Sequence, residues 1–318
     1  MSNLVWFRND LRVTDNHSLK AACDKEGDVI GVYCFDPAFY QESDFGFDID
    51  FKLPFSKTGK YRAQFIIEAV DDLNKQLQNH GIPLLVFHKS PAQVFPDLIK
   101  EYEVQHIFLQ KEWTRDEVRQ EEKLGEALEA AGLKDQVKGQ RVYDQFLFHP
   151  DDVPFENFNQ IPKVFTEFRK KCEKQSEVRD LVNIDDYKQE LPEVEETKLP
   201  TLNDLGLEDF EKDHRSAFPW KGGATAAWER LDHYFWDTKK LQYYKKTRNG
   251  LVGTDYSSKF SAWLAVGAIS AREIYWEEKH FEKEVKKNQD TYWLIFELIW
   301  RDFFKYVSLK HESDIFQL

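Results

Sequence analysis

The chain has 318 residues, 41% apolar and 32% charged, which suits roughly two domains with a sizeable core and excludes a disordered polymer. Its net charge of −13 excludes a protein that coats DNA at large, since phosphate contacts need Lys and Arg, but leaves room for a local basic groove. Cys23, Cys34 and Cys172 stand far apart with no CxxC, which excludes a disulfide scaffold or cysteine-based zinc site, and no stretch approaches the ~18 apolar residues of a membrane span.

The opening, MSNLVWFRND, meets a charge after a short apolar run, so no signal peptide is expected. The chain reads as soluble and cytoplasmic, in a reducing compartment. Over residues 1–145, short apolar strands alternate with amphipathic helices. Strands are predicted at 4–7, 29–35, 84–88, 106–109 and, more weakly, 136–142. The longest helix of this block is predicted at 60–79, with Phe65, Ile66, Ala69, Val70, Leu73 and Leu77 on one side. Ser90-Pro91-Ala92-Gln93 and Thr114-Arg115-Asp116-Glu117 are capping boxes that open further helices. Such alternation predicts an α/β class with a doubly wound parallel sheet. No G-x-G-x-x-G is present. Ser56-Lys57-Thr58-Gly59-Lys60 looks like a phosphate loop but lacks the leading glycine and a preceding strand, so it reads as a solvated turn.

From about residue 146 to 203 the pattern becomes irregular. Pro150, Pro154, Pro162 and Pro192 punctuate it, and charges crowd residues 190–198. This is a long connector with a short helix expected near 163–174. From 204 to 318 only helical periodicity remains, which predicts an all-α second domain. It begins with Trp220-Lys221-Gly222-Gly223 leading into a helix at 224–235.

The chemistry concentrates further on. Tyr243-Tyr244-Lys245-Lys246-Thr247-Arg248-Asn249-Gly250 is followed by Gly253-Thr254-Asp255-Tyr256-Ser257-Ser258-Lys259-Phe260-Ser261, then by an apolar helix at 262–269. Serines and a lysine at the mouth of a helix favour an anion, flanked here by Arg248 and Lys259; Ser258 or Ser261 also suits a plain N-cap. Ser270-Ala271-Arg272-Glu273 opens the next helix with an ordinary capping box. Nine scattered histidines, no G-x-S-x-G and no H-E-x-x-H leave a hydrolase or metalloenzyme without apparatus. Chemistry would then come from a cofactor. The aromatic content of 15%, with nine Trp and 26 Phe, fits a protein that handles rings as well as one that fills its core with them.

Near the end, Glu297, Trp300, Arg301 and Phe304 fall at i, i+3, i+4 and i+7 of one predicted helix, beside an apolar stripe of Phe296, Ile299, Phe303 and Val307. An indole plate between a carboxylate and a guanidinium suits a flat, polar-edged ligand. The alternative is a half-buried helix with an internal Glu/Arg ion pair.

Val5-Trp6-Phe7-Arg8-Asn9-Asp10-Leu11-Arg12-Val13-Thr14-Asp15-Asn16 resembles the opening of the photolyase/cryptochrome family. Thr247-Arg248-Asn249-Gly250 with 255–265, and Asn288-Gln289-Asp290-Thr291-Tyr292-Trp293 with 296–304, are similar to its DASH branch. The resemblance implies FAD held in the helical domain by Tyr244, Ser257, Ser258, Lys259, Phe260 and Ser261. Arg248 would lie beside the cofactor or at the DNA backbone, and Arg301 on the flavin side. It implies a cavity for a flipped-out pyrimidine dimer, with Trp300 stacking and Glu297 bonding to the base edge. The implied reaction is light-driven splitting of cyclobutane dimers by an electron from reduced FAD, preferably in single-stranded DNA. A signalling cryptochrome without repair activity, or an inactive remnant, are the alternatives. Many members carry a methenyltetrahydrofolate antenna. Glu112, after a predicted strand end, is its candidate contact or else a solvent-facing carboxylate. Family members continue beyond the position of Leu318, with relay tryptophans and further cavity residues in that stretch. The expectation is therefore a truncated helical domain whose last helices expose an apolar face.

Overall fold

The computed structural model describes residues 1–40, 56–195 and 197–316. Gln317 and Leu318, the end of the expected apolar face, lie outside the described residues.

Five strands are β1 (Ser2–Phe7), β2 (Asp28–Cys34), β3 (Leu84–Phe87), β4 (Val104–Gln110) and β5 (Lys138–Val142). They form one parallel sheet in the order β3-β2-β1-β4-β5. Each predicted strand is present within two residues of its expected limits. The helices of this block are α1 (His17–Cys23), α2 (Lys60–Gln78), α3 (Pro91–Glu101) and α4 (Arg115–Ala130). All six residues of β1 are buried, because both faces of the sheet are covered. Leu4 and Trp6 pack with Val94, Phe95, Leu98 and Leu124 on the α3/α4 side. Val5 and Phe7 pack with Leu19, Ala63, Val70 and Leu73 on the other. Ser56–Lys60 is a turn, as expected, but not a solvated one: Thr58 is buried with its N–H donating to the Phe39 carbonyl (3.0 Å), and Lys57 is half-buried and pairs with Asp116 (2.8 Å).

The connector carries α5 (Phe165–Gln175), close to the helix expected at 163–174. The helical part contains α6 (Ala224–Asp232), α7 (Tyr244–Thr247), α8 (Ser261–Val266), α9 (Ala271–Glu284) and α10 (Gln289–His311). Two helices end earlier than periodicity suggests. α6 gives way to a π turn at His233–Asp237, and α8 stops at Gly267, whose φ of +70° is left-handed. The reason at Gly267 is close approach: a Cβ there would sit 1.9 Å from the Asn9 carbonyl oxygen. Gly222 is similar, 1.9 Å from the Phe65 carbonyl, so the chain before α6 lies directly on α2. The Ser270/Glu273 capping box forms as expected.

A buried ionic seam joins the sheet to the helices. Arg272 on α9 donates to Asp15 and Asp144 (2.9 Å each), Arg12 donates to the Gly267 carbonyl (3.0 Å), and Asp302 on α10 accepts from the Leu147 and Phe148 amides. This seam fixes α10 and the α8 loop against the C-terminal edge of the sheet. The expected apolar face of the last helices is smaller than anticipated. Leu294, Ile295, Leu298, Ile299, Phe303, Tyr306 and Leu309 are buried, and Phe304 is the large apolar side chain of α10 left exposed, at 62%. Among the described residues no helix is long and apolar enough to cross a membrane.

Candidate functional site

A cavity of about 630 Å³ lies between the loop leading into α8 and one face of α10, within the ~300–1,000 Å³ typical of cofactor sites. The loop supplies Tyr256, Ser257, Ser258, Lys259, Phe260 and Ser261, with Tyr244 from α7 behind them. Leu264 and Ala265 of α8 face Leu294 and Leu298 of α10 and make the apolar wall. Glu297, Arg301 and Lys305, spaced four apart, form the polar edge of α10.

Two of those groups are cations with little local compensation. Arg301 spends its donors on carbonyls, those of Gln145 (2.5 Å) and Leu264 (3.3 Å), rather than on a carboxylate. Burial lowers its pKa. Lys305 has no ion-pair partner within 4 Å among the described residues, and burial, reinforced by the neighbouring Arg301 charge, brings its ammonium down to about 8. Lys259 sits at φ +66°, an uncommon backbone state for a non-glycine residue, with its ammonium 3.7 Å above the Tyr256 ring. Burial pushes the Tyr244 phenol up to about 12, so it stays a neutral hydrogen-bonding group. Because α8 is only six residues long, its dipole is small; hydroxyls and these cations carry the attraction for an anion.

The residues expected to act together are mostly brought together, with one departure. Glu297 pairs with Arg248 (2.7 Å), not with Arg301, so the internal ion pair expected of a plain helix does not form. Burial raises the Glu297 pKa against that arginine. Trp300 does not line the cavity with Glu297 and Arg301. Its ring lies on Phe165 of α5, centroids 3.5 Å apart at 10°. Positions 300 and 301 diverge by about 100° around the helix, which turns the indole toward the connector. Phe304 continues that stack at 5.5 Å. At the other end of the same helix face, Trp293 stacks on Phe296 (4.4 Å), with Lys245 4.2 Å above the indole.

Glu112 is neither exposed nor isolated. Gln110 (2.8 Å) and Asn9 (3.3 Å) donate to its carboxylate at the end of β4, and its charge acts on Arg301 and Lys305 across the seam. Sequence reasoning missed Lys305, although it continues the four-residue spacing of Glu297 and Arg301. It also missed Arg230 of α6, which no local pattern distinguishes. A larger cavity of about 920 Å³ lies on the opposite side of α10, but its cations are already paired, Arg179 with Asp152 (2.6 Å) and Lys279 with Glu278 (3.0 Å). Size therefore points away from the chemistry. A third, at the ends of β1 and β2, measures only about 90 Å³. No His/Cys/Asp/Glu cluster among the described residues suits a metal ion.

The DNA photolyase family model matches residues 3–194. The cryptochrome DASH of Gloeobacter violaceus is 42% identical over 98% of this chain, which spans 60% of that protein. A crystal structure of the Synechocystis sp. PCC6803 cryptochrome superposes with a TM-score of 0.89 at 38% identity, covering 99% of this chain and 63% of that one. The photolyase of Sulfolobus tokodaii, solved with two FAD molecules, shares the fold at a TM-score of 0.68 and 21% identity, over 100% of this chain and 61% of that one. The chain thus spans about 60% of the curated relative's length.

Proposed function

The chain belongs to the DNA photolyase family and is most like its cryptochrome DASH members, and we propose that residues 204–318 form the first part of a helical domain that binds FAD. The observation that carries this reading is one cavity lined by Ser257, Ser258, Lys259 and Ser261 on the loop and by Arg301 and Lys305 on α10, two cations with no ion pair within 4 Å among the described residues, with an apolar wall between them. That donor set fits a diphosphate joined to a flat ring system. Ser257, Ser258, Ser261 and Lys259 would hold the phosphates. Tyr244 and Phe260 would support them, Arg301 would bind the flavin side, and Arg248 would lie at the rim. When bound and reduced, FAD supplies an electron on illumination.

DNA containing cyclobutane pyrimidine dimers, preferably single-stranded, is the proposed substrate. Glu297 would hydrogen-bond a flipped base and Trp300 would stack on it. Lys245 and Arg248 beside Trp293 give a local cationic, aromatic strip on an otherwise acidic chain. A methenyltetrahydrofolate antenna is proposed near Glu112, which already faces the cavity cations. One observation favours the second reading, a light-signalling cryptochrome without repair: the Trp300 ring is already covered by Phe165.

The test is direct. Purified chain incubated with FAD should show the flavin absorbance band after removal of free cofactor. Illumination under reducing conditions with dimer-bearing single-stranded DNA should then lower the dimer content. Bound flavin with unchanged dimers rejects repair and leaves signalling; failure to retain flavin rejects both.

A further inference from the structure

We infer that Arg230 is the positioning residue of the anion-binding loop, turning the carbonyls of Thr254, Ser257 and Ser258 into the protein so that the Ser257 and Ser258 side chains meet the cavity. The inference rests on the FAD reading of that cavity. Arg230 is 1% exposed. Its guanidinium donates to the carbonyls of Ser258 (3.1 Å), Ser257 (2.9 Å) and Thr254 (3.3 Å), and to the Asp255 carboxylate (2.7 Å). The rings of Trp220 and Tyr234 lie against it, with centroids at 4.5 and 4.9 Å.

Asp255 is also held by Lys240 (3.1 Å) and His233 (3.4 Å), but the carbonyls of Thr254, Ser257 and Ser258 have no donor other than Arg230 among the described residues. Leu251 and Val252, just before it, are 88% and 91% exposed, and Lys259 at its end holds a left-handed backbone. A carbonyl facing a diphosphate repels it, whereas a carbonyl bound to a buried guanidinium is both satisfied and turned away. Lysine keeps the charge but not the planar fork, so it cannot serve three carbonyls and a carboxylate at once.

The experiment compares the wild-type chain with Arg230→Lys, and uses Arg8→Lys, where the arginine is buried against α4 by Glu121 (2.6 Å), as a control for loss of a buried arginine. Amide hydrogen exchange across 254–261 is measured, together with the dissociation constants of FAD and of riboflavin, which lacks the phosphates. Arg230→Lys should speed exchange in that segment by about tenfold or more while exchange in β1 stays unchanged. It should weaken FAD by about tenfold or more and riboflavin little. Arg8→Lys should leave both the segment and the FAD-to-riboflavin ratio as in wild type. Unchanged exchange at 254–261, or parallel weakening of both flavins, overturns the inference. If wild type binds neither flavin, the FAD reading falls and the exchange contrast alone decides the role of Arg230. Should Arg230→Lys fail to fold, Asp255→Asn, at the partly exposed end of the same network, is read by the same two criteria.

Discussion

Trp300 lies flat on Phe165 at 3.5 Å, so a base that stacks on the indole competes with that phenyl ring. The two substitutions should therefore act in opposite directions. Trp300→Ala should weaken binding of dimer-bearing single-stranded DNA by about 1–3 kcal/mol. Phe165→Ala should tighten it, by about 0.5–1.5 kcal/mol, the worth of the aromatic pairing it removes. Equal affinities for all three proteins in fluorescence anisotropy would make this stack purely structural. Lys305 gives a pH signature. With its ammonium already down at about 8, affinity for FAD should fall by about tenfold between pH 7 and pH 9, well below the range where an ordinary lysine discharges. Lys305→Met should weaken FAD at pH 7 and flatten that profile; a wild-type profile already flat to pH 9 would contradict the role. Glu297 and Arg301 were legible because helical spacing alone puts positions four apart on one wall. Trp300 was not, since its partner sits in the connector, where no periodicity links position 165 to position 300.

The strands and the Ser90 and Ser270 capping boxes were readable because they rest on local rules: apolar runs, proline at a first turn, serine three residues before glutamine or glutamate. The box expected at Thr114 does not form, because the Thr114 hydroxyl bonds the Glu117 carboxylate rather than a backbone amide. The end of α8 rests on something distant, the Asn9 carbonyl lying where a side chain at 267 would stand. Gly267→Ala combines a left-handed backbone with a 1.9 Å overlap against main chain. It should cost about 3 kcal/mol or more in urea unfolding, because the sheet and the helices are forced apart at a point of main-chain contact. Ser270→Ala removes a cap that accepts from the Glu273 amide at 2.9 Å, and should cost about 1 kcal/mol. A loss at Gly267 no larger than that at Ser270 would mean that the junction yields easily, and that the cavity beside it is not rigidly framed. The same distance from local signal explains the π turn after α6. The residues that fix its geometry, Glu277, His280 and Phe281 against Trp236, belong to α9.

At the scale of the whole molecule, the buried acids set an unusual pH response. Burial raises Asp10 and Asp302 to about 6, and Glu273 and Glu278 to about 7. Asp10, Glu273 and Asp302 all belong to the region where the sheet meets the helices. A carboxyl raised in the folded state holds a proton that the unfolded chain has already released. Between about pH 7 and the ordinary carboxylate range, the folded state therefore binds more protons, and stability rises as pH falls. Below about pH 4 the sign reverses. Asp144, Asp255, Asp116 and Asp152 are held below the ordinary range by their Arg, Lys and His partners, so the unfolded chain now takes up protons that the folded one refuses. Lys305 acts outside this window, because its folded and unfolded forms are both charged below pH 7. The urea midpoint should accordingly climb by the equivalent of about 4–5 kcal/mol from pH 7.5 to pH 5.5 when all four acids contribute, then drop steeply below pH 4. Asp302→Asn, which cannot ionise but keeps an oxygen for the Leu147 and Phe148 amides, should remove part of the climb and none of the acid drop. A midpoint that declines steadily from pH 7.5 downward would mean that these acids are charged in the folded protein.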